Sequence, residues 1–312
     1  MKHVMIAGAT GYLGQFLCAE YQRRGWQVSA LVRSANADVS LPADAVVAAE
    51  ATQPETLKGV MQGIDLVVSA LGITRQTDGL SYWDVDYQAN LNLLQEALTC
   101  DVQHFAYVHV LNANRMADVP LVAAKSAFVS ALQAADLDST IIAPSGYFSD
   151  MEDFLNMARN GRVWLFGDGQ LQINPIHGAD LASAIFEAVD RKEAWLDVGG
   201  PDVLTHCELA KLSFDTLGAQ DRVTFLPDIF RRIALRLLPL FAPRLAGQPH
   251  EAVDVGAQPG REQPVADALA VARREHDPGH DPEAGQRPTR GGAHPGRVEQ
   301  PLDQQPEARA RQ

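Results

Sequence analysis

The segment HVMIAGATGYLGQF, residues 3–16, constrains the fold more than any other part of the chain. A short apolar run ends at Ala7, and Gly8, Gly11 and Gly14 follow as GxxGxxG before an amphipathic stretch that closes at Gly25. A strand entering a helix through such a turn has few uses for three glycines at this spacing. The first allows a tight turn, the second lets a pyrophosphate approach the backbone, and the third lets helix and strand pack closely. The helix start then presents free N–H groups and the positive end of its dipole to phosphate oxygens. Thr10, Tyr12 and Leu13 fill the same turn and complete the expected phosphate-binding segment.

The chain continues in that rhythm to about residue 245. Apolar runs at 26–33, 45–50, 65–72, 104–110 and 139–146 alternate with helical patterns at 54–63, 84–100 and 124–136. Strands separated by helices predict βαβ units with right-handed crossovers. The expected class is α/β, a doubly wound parallel sheet of the Rossmann type. Residues 1–150 are expected to form the dinucleotide-binding domain, and residues 151–246 a smaller substrate-side region that shares the sheet. WLDVGGPDVLTHCELAKL reads as a strand, a turn and a helix, with Thr205 or His206 at its cap and Glu208 in its first turn. Asp180 is expected to cap LASAIFEAV, with His177 as a structural hydrogen-bonder. IFRRIALRLLPLF, 229–241, suits a lid, a dimer contact or a membrane-surface helix.

Beyond Gly247 the chain has no Lys, Phe, Trp, Tyr, Ile, Met, Cys or Ser, and it carries half of the 18 prolines. Such a segment cannot bury enough apolar surface to offset its ordering entropy, so residues 247–312 are expected to be disordered. A native Pro/Gly/Arg-rich tail and the product of a shifted reading frame both fit this text.

Composition excludes several classes. The net charge of −13 and the lack of a basic face argue against a nucleic-acid partner. Three scattered cysteines, Cys18, Cys100 and Cys207, form no disulfide framework or metal-ligand spacing, so no metal is expected. No run of about 20 apolar residues predicts a transmembrane span, and the N-terminus does not read as a signal peptide. A cytoplasmic location is the expectation.

The second strand ends in Arg33 and Ser34 where an NAD-binding chain usually carries a carboxylate. A guanidinium and a hydroxyl suit a 2′-phosphate, so NADP(H) is expected over NAD(H). GATGYLG, LVR, DLVVSALG, VDYQANLNLL, the lysine helix at 125 and TIIAPSGYFSDM together resemble the atypical short-chain dehydrogenase/reductase superfamily. Within it they look like the NmrA-like NAD(P)H-binding branch, over roughly residues 3–245. The resemblance implies that Glu50 and Ala51 lie beside the adenine. It also implies that Ala70, Leu71 and Gly72 run along the cofactor toward the nicotinamide.

Members of that superfamily commonly carry Tyr-x-x-x-Lys. Here Leu121 stands four residues before Lys125, and His109 occupies the place of the usual serine. Lys125, one of five lysines in the chain, is therefore expected to bind the cofactor ribose and is a candidate proton carrier. His109 and Tyr147 are further candidates for proton transfer or substrate contact. Two functions fit: an NADP(H)-dependent oxidoreductase acting on a small, largely apolar substrate, or a non-catalytic NAD(P)H-binding regulator or assembly factor. A protein partner or homodimer is compatible with either.

Overall fold

A computed structural model describes residues 1–33, 40–73, 79–227 and 229. The first half runs β1 (His3–Ala7), α1 (Tyr12–Arg23), β2 (Gln27–Val32), β3 (Ala45–Ala48), α2 (Pro54–Leu57), β4 (Leu66–Ser69), a π-helical turn (Trp83–Ala89), α3 (Asn90–Thr99), β5 (His104–Val108), α4 (Pro120–Gln133) and β6 (Asp138–Pro144). The second half adds α5 (Glu152–Arg159), β7 (Val163–Phe166), β8 (Gln172–Ile173), α6 (Gly178–Asp190), β9 (Trp195–Val198), β10 (Leu204–Thr205), α7 (His206–Leu217) and β11 (Val223–Leu226).

Seven strands form one parallel sheet in the order β3-β2-β1-β4-β5-β6-β9. β1, β4 and β5 are buried along almost their whole length, because helices cover both faces. The strands' two-residue period divides the core. Met5, Val67, Phe105 and Ile141 face one layer with Leu93 and Phe128. Val4, Ile6, Val68, Ala106 and Ile142 face the other with Leu17 and Ile185. The doubly wound Rossmann architecture read from the sequence is the one observed.

The chain moves outward from β1 to β2 and β3, then returns to lay β4 on the opposite side of β1. The crevice this reversal leaves at the carboxyl ends of the strands is where such sheets bind ligands. β9 and α6 return from the second half to the main sheet: β9 pairs with β6, and α6 packs beside α1. The remainder of the second half builds small satellites. β7 pairs with β11, β8 with β10, and α5 packs on α7.

Local expectations mostly hold, with instructive differences. Thr205 caps α7: its hydroxyl accepts from Glu208 N, and the Glu208 carboxylate accepts from Thr205 N at 2.7 Å. Asp180 does not cap α6. His177 does, its Nδ1 accepting from Ala179 N at 3.3 Å, while Asp180 sits within the first turn. α1 begins at Tyr12, so Tyr12, Leu13 and Gly14 are its first turn. The helix expected over 54–63 is α-helical only to Leu57, with turns after it. Ser34, the 229–241 helix beyond Ile229, and the 247–312 tail lie outside the described residues.

Candidate cofactor site

A cleft of about 240 Å³ opens at the carboxyl edge of β1, β2 and β4. Gly8, Thr10, Gly11, Arg33, Glu50, Ala51, Ala70, Leu71 and Gly72 all line it, with Thr52, Ile73 and Leu80. Nine of the residues expected to hold a cofactor thus come together on one surface.

The glycines do distinct physical work. Gly8 has φ of +80°, and a β-carbon there would stand 2.9 Å from the Ala70 carbonyl carbon and oxygen. Gly11 donates its N–H to Gly8 O at 3.0 Å and caps α1 in an extended conformation, without a side-chain cap. Gly14 is packed so tightly that a β-carbon would run into the Gly8 carbonyl and lie 2.7 Å from Ala9 Cα. A tight turn, an uncapped helix N-terminus facing a cleft and a close helix–strand contact are what a dinucleotide pyrophosphate requires. The residues present fit that group.

Leu13 and Tyr12 play supporting parts. Leu13 is buried in the core between α1 and the sheet. The Tyr12 hydroxyl accepts from Gly178 N at 3.1 Å, and its ring lies 5.8 Å from that of Tyr147, which ties α1 to the start of α6.

The outer walls are braced from α3. The buried Asn90 accepts from the Ser69 hydroxyl and donates to Leu71 O at 3.3 Å. Asn92 donates to Ala51 O at 2.9 Å. One helix therefore fixes both the loop after β3 and the loop after β4. At the former, the Glu50 carboxylate accepts from the Thr52 hydroxyl at 3.1 Å.

Lys125 does not line the cleft itself. Its Nζ lies 3.2 Å from Asp86 Oδ1, donates to Val108 O at 3.1 Å and approaches the Tyr107 hydroxyl at 3.5 Å. Gly72, which lines the cleft, adjoins this group. A β-carbon on Gly72 would meet Asp86 Oδ1 at 2.5 Å and Lys125 Nζ at 3.2 Å. Asp86 is fully buried on the π-helical turn, and burial pushes its carboxyl up, opposed by Lys125. Burial would push the ammonium down, but Tyr107, Asp86 and Tyr147 hold it above its ordinary value. Of these groups, Asp86 is the carboxyl, at 3.2 Å from the ammonium.

His109 lies just past β5, 3% exposed, its ring 5.9 Å from that of Trp195. Its Nδ1 has no hydrogen-bond partner among the described residues. Burial, then the Lys125 charge, pushes its pKa down to about 4, so it is neutral at pH 7. Burial pushes the Tyr147 hydroxyl up, Asp150 adds to this, and Lys125 opposes it. Leu121 is 6% exposed and packs with Tyr82 and Ala124, so this position turns into a satellite core.

Asp86 and Tyr107 escaped the sequence reading. The available signal was an acidic residue in VDYQANLNLL, whose neighbours Val85, Ala89 and Leu93 share one apolar helical face. A lone carboxylate on such a face needs a cation, and Lys125 is the other charge in apolar surroundings. Among the described residues no helix is long and apolar enough to cross a membrane, and no His/Cys/Asp/Glu group could hold a metal.

A family model described as NAD(P)H-binding matches residues 8–192. The chain is 28% identical over 250 residues to divinyl chlorophyllide a 8-vinyl-reductase of Zea mays, covering 72% of this chain and 61% of the relative. It is 28% identical over 191 residues to photosystem II assembly factor Ycf39 of Synechocystis sp., covering 60% of this chain and 58% of that protein. The chain thus spans about three fifths of the length of these curated relatives. Among solved structures, UDP-glucose 4-epimerase of Thermus thermophilus in complex with NAD superposes with a TM-score of 0.60 at 17% identity, over 72% of this chain and 86% of that one. That likeness concerns the fold. The matched family model and the site geometry agree: this chain belongs to the NAD(P)H-binding family.

Proposed function

We propose that the chain is an NADP(H)-dependent oxidoreductase acting on a small, largely apolar substrate. The observation that carries this reading is the seating of Lys125 beneath Gly72, where the cleft reaches the carboxyl end of β4. A bound NADPH would supply a hydride. This chain's residues do the rest. Gly8, Gly11 and the start of α1 bind phosphate through backbone N–H groups. Arg33, at the cleft rim, favours a 2′-phosphate. Lys125 presents a cation to the ribose and to negative charge developing on the substrate. Lys125 and Tyr147 both hold their protons at neutral pH, so either supplies the proton that accompanies reduction. Neutral His109 is a poor acid there and serves better as a substrate-facing wall. The domain division at residue 150, with the later residues on the substrate side, is part of this reading.

The vinyl reductase relative suggests conjugated alkenes as the first substrates to screen. The direct test is NADPH oxidation in the presence of enones, quinones, aldehydes and vinyl-substituted rings, with the Lys125→Ala variant alongside. Turnover that falls at least tenfold in the variant supports the enzyme reading. Tight NADPH binding without turnover across the panel contradicts it.

One observation favours a second reading, a cofactor-binding regulator or assembly factor. Leu121 leaves no phenol four residues before Lys125 and turns into core instead. The assembly-factor relative fits this alternative, in which cofactor occupancy would alter a protein contact.

A further inference from the structure

We infer that Asp86 is the positioning residue for Lys125, fixing its ammonium against Gly72 from beneath the cofactor cleft. This rests on the reading above for the ribose contact, but the ion pair itself does not.

Lys125 Nζ donates to Val108 O and to the Tyr107 hydroxyl and forms an ion pair with Asp86 Oδ1 at 3.2 Å. Val108 O and the Tyr107 hydroxyl belong to β5, and Asp86 Oδ1 reaches across from the π-helical turn. The Asp86 side chain is fully buried, while 12% of the Lys125 side chain remains accessible. Asp86 also ties the turn to the cleft wall: Oδ2 accepts from Ile73 N at 3.3 Å, and its backbone carbonyl accepts from the Tyr107 hydroxyl at 3.3 Å and from Asn90 Nδ2 at 3.2 Å. π-helical turns often mark functional sites, and this one puts a carboxylate directly under a cleft-lining glycine.

Stability alone gives little reason for the pair. Two apolar residues of similar volume would commonly hold a buried site at least as well, whereas one charge without the other is costly. What the pair supplies is a cation with one location. Among the described residues, the titratable groups facing it are Asp86 on the π-helical turn, Tyr107 and His109 on and just after β5, and Tyr147 after β6. At neutral pH the two tyrosines and His109 carry no charge, which leaves Asp86 as the carboxyl within ion-pair distance of the ammonium among the described residues.

The test is trace acetylation of the full chain with acetic anhydride from neutral to strongly alkaline pH, read lysine by lysine by mass spectrometry without cofactor. In Asp86→Asn the Lys125 titration midpoint is expected to fall by about 1–3 units. Lys2, Lys58, Lys192 and Lys211 serve as internal references. An unchanged Lys125 midpoint overturns the inference. NADPH titrations across the same pH range test the positioning role. Affinity in Asp86→Asn should fade at lower pH than in wild type, and Lys125→Met should abolish that dependence. Identical pH profiles in wild type and Asp86→Asn overturn the role. If wild type binds no NADPH, the oxidoreductase reading fails and acetylation still decides the pair. If Asp86→Asn is too unstable for these titrations, the double variant Asp86→Asn/Lys125→Met should melt higher than Asp86→Asn alone. Equal melting temperatures count against the pair.

Discussion

Gly72 and Lys125 are close neighbours across the floor of the cofactor cleft: a β-carbon at position 72 would stand 3.2 Å from the lysine Nζ and 2.5 Å from Asp86 Oδ1. The absence of a side chain at one residue is what lets the charge of the other lie just beneath the cleft. Gly72→Ala should therefore displace the ion pair. Overpacking at such a site costs about 1–3 kcal/mol, and NADPH binding is expected to weaken roughly tenfold. Thermal melts and fluorescence titrations on the same sample check both.

Gly14 makes a separate prediction, about folding. A β-carbon there would run into the Gly8 carbonyl, so Gly14→Val must push α1 off β1. The expected loss is about 1–3 kcal/mol or more, seen as a lower urea midpoint. The companion Gly25→Ala, whose β-carbon would meet nothing within 4 Å, should cost less, with only the strain of φ at +80° to bear.

Much of this was legible from the residues, for reasons that differ by element. The sheet follows from β-branched and apolar runs broken by helical spacing, and the Gly8-Gly11-Gly14 turn from a rule about phosphate access. Both are local patterns. The cap at His177 was misassigned to Asp180 because capping preference ranks carboxylates high, whereas the chain's entry angle decides which side chain reaches the Ala179 N–H. Asp86 was missed because its partner lies 39 positions away, and a contact between a π-helical turn and α4 leaves no periodicity to read. Leu121 was read correctly as unable to do proton chemistry, but its burial against Tyr82 is a packing fact that only the fold provides.

Arg33 lines the exposed rim of the cleft beyond β2. If it contacts a 2′-phosphate, Arg33→Ala should cost about 1.5–3 kcal/mol of NADPH affinity, the worth of a hydrogen bond to a charged group. NADH affinity should hardly move. Paired titrations with the two cofactors check this, and an equal loss for both would remove Arg33 from the discrimination.

His109 predicts an acid limb to stability. Its pKa is pushed down to about 4, chiefly by burial. Between that value and its ordinary pKa of about 6.5 the unfolded chain binds the proton and the folded chain does not. Stability therefore falls as pH drops through this window, by about 1–3 kcal/mol from this residue. His104 and His206 are pushed down too, so the slope is shared. His109→Gln should flatten it in part, as measured by urea unfolding at a series of pH values.

The central claim is that Lys125 serves a cofactor held at the glycine turn. Fluorescence titration with NADPH and NADH, wild type beside Lys125→Ala, tests it most directly. The account predicts tighter binding of NADPH than NADH, and at least a tenfold loss of NADPH affinity in the variant with circular dichroism unchanged. Equal NADPH affinity in a folded Lys125→Ala protein would contradict it.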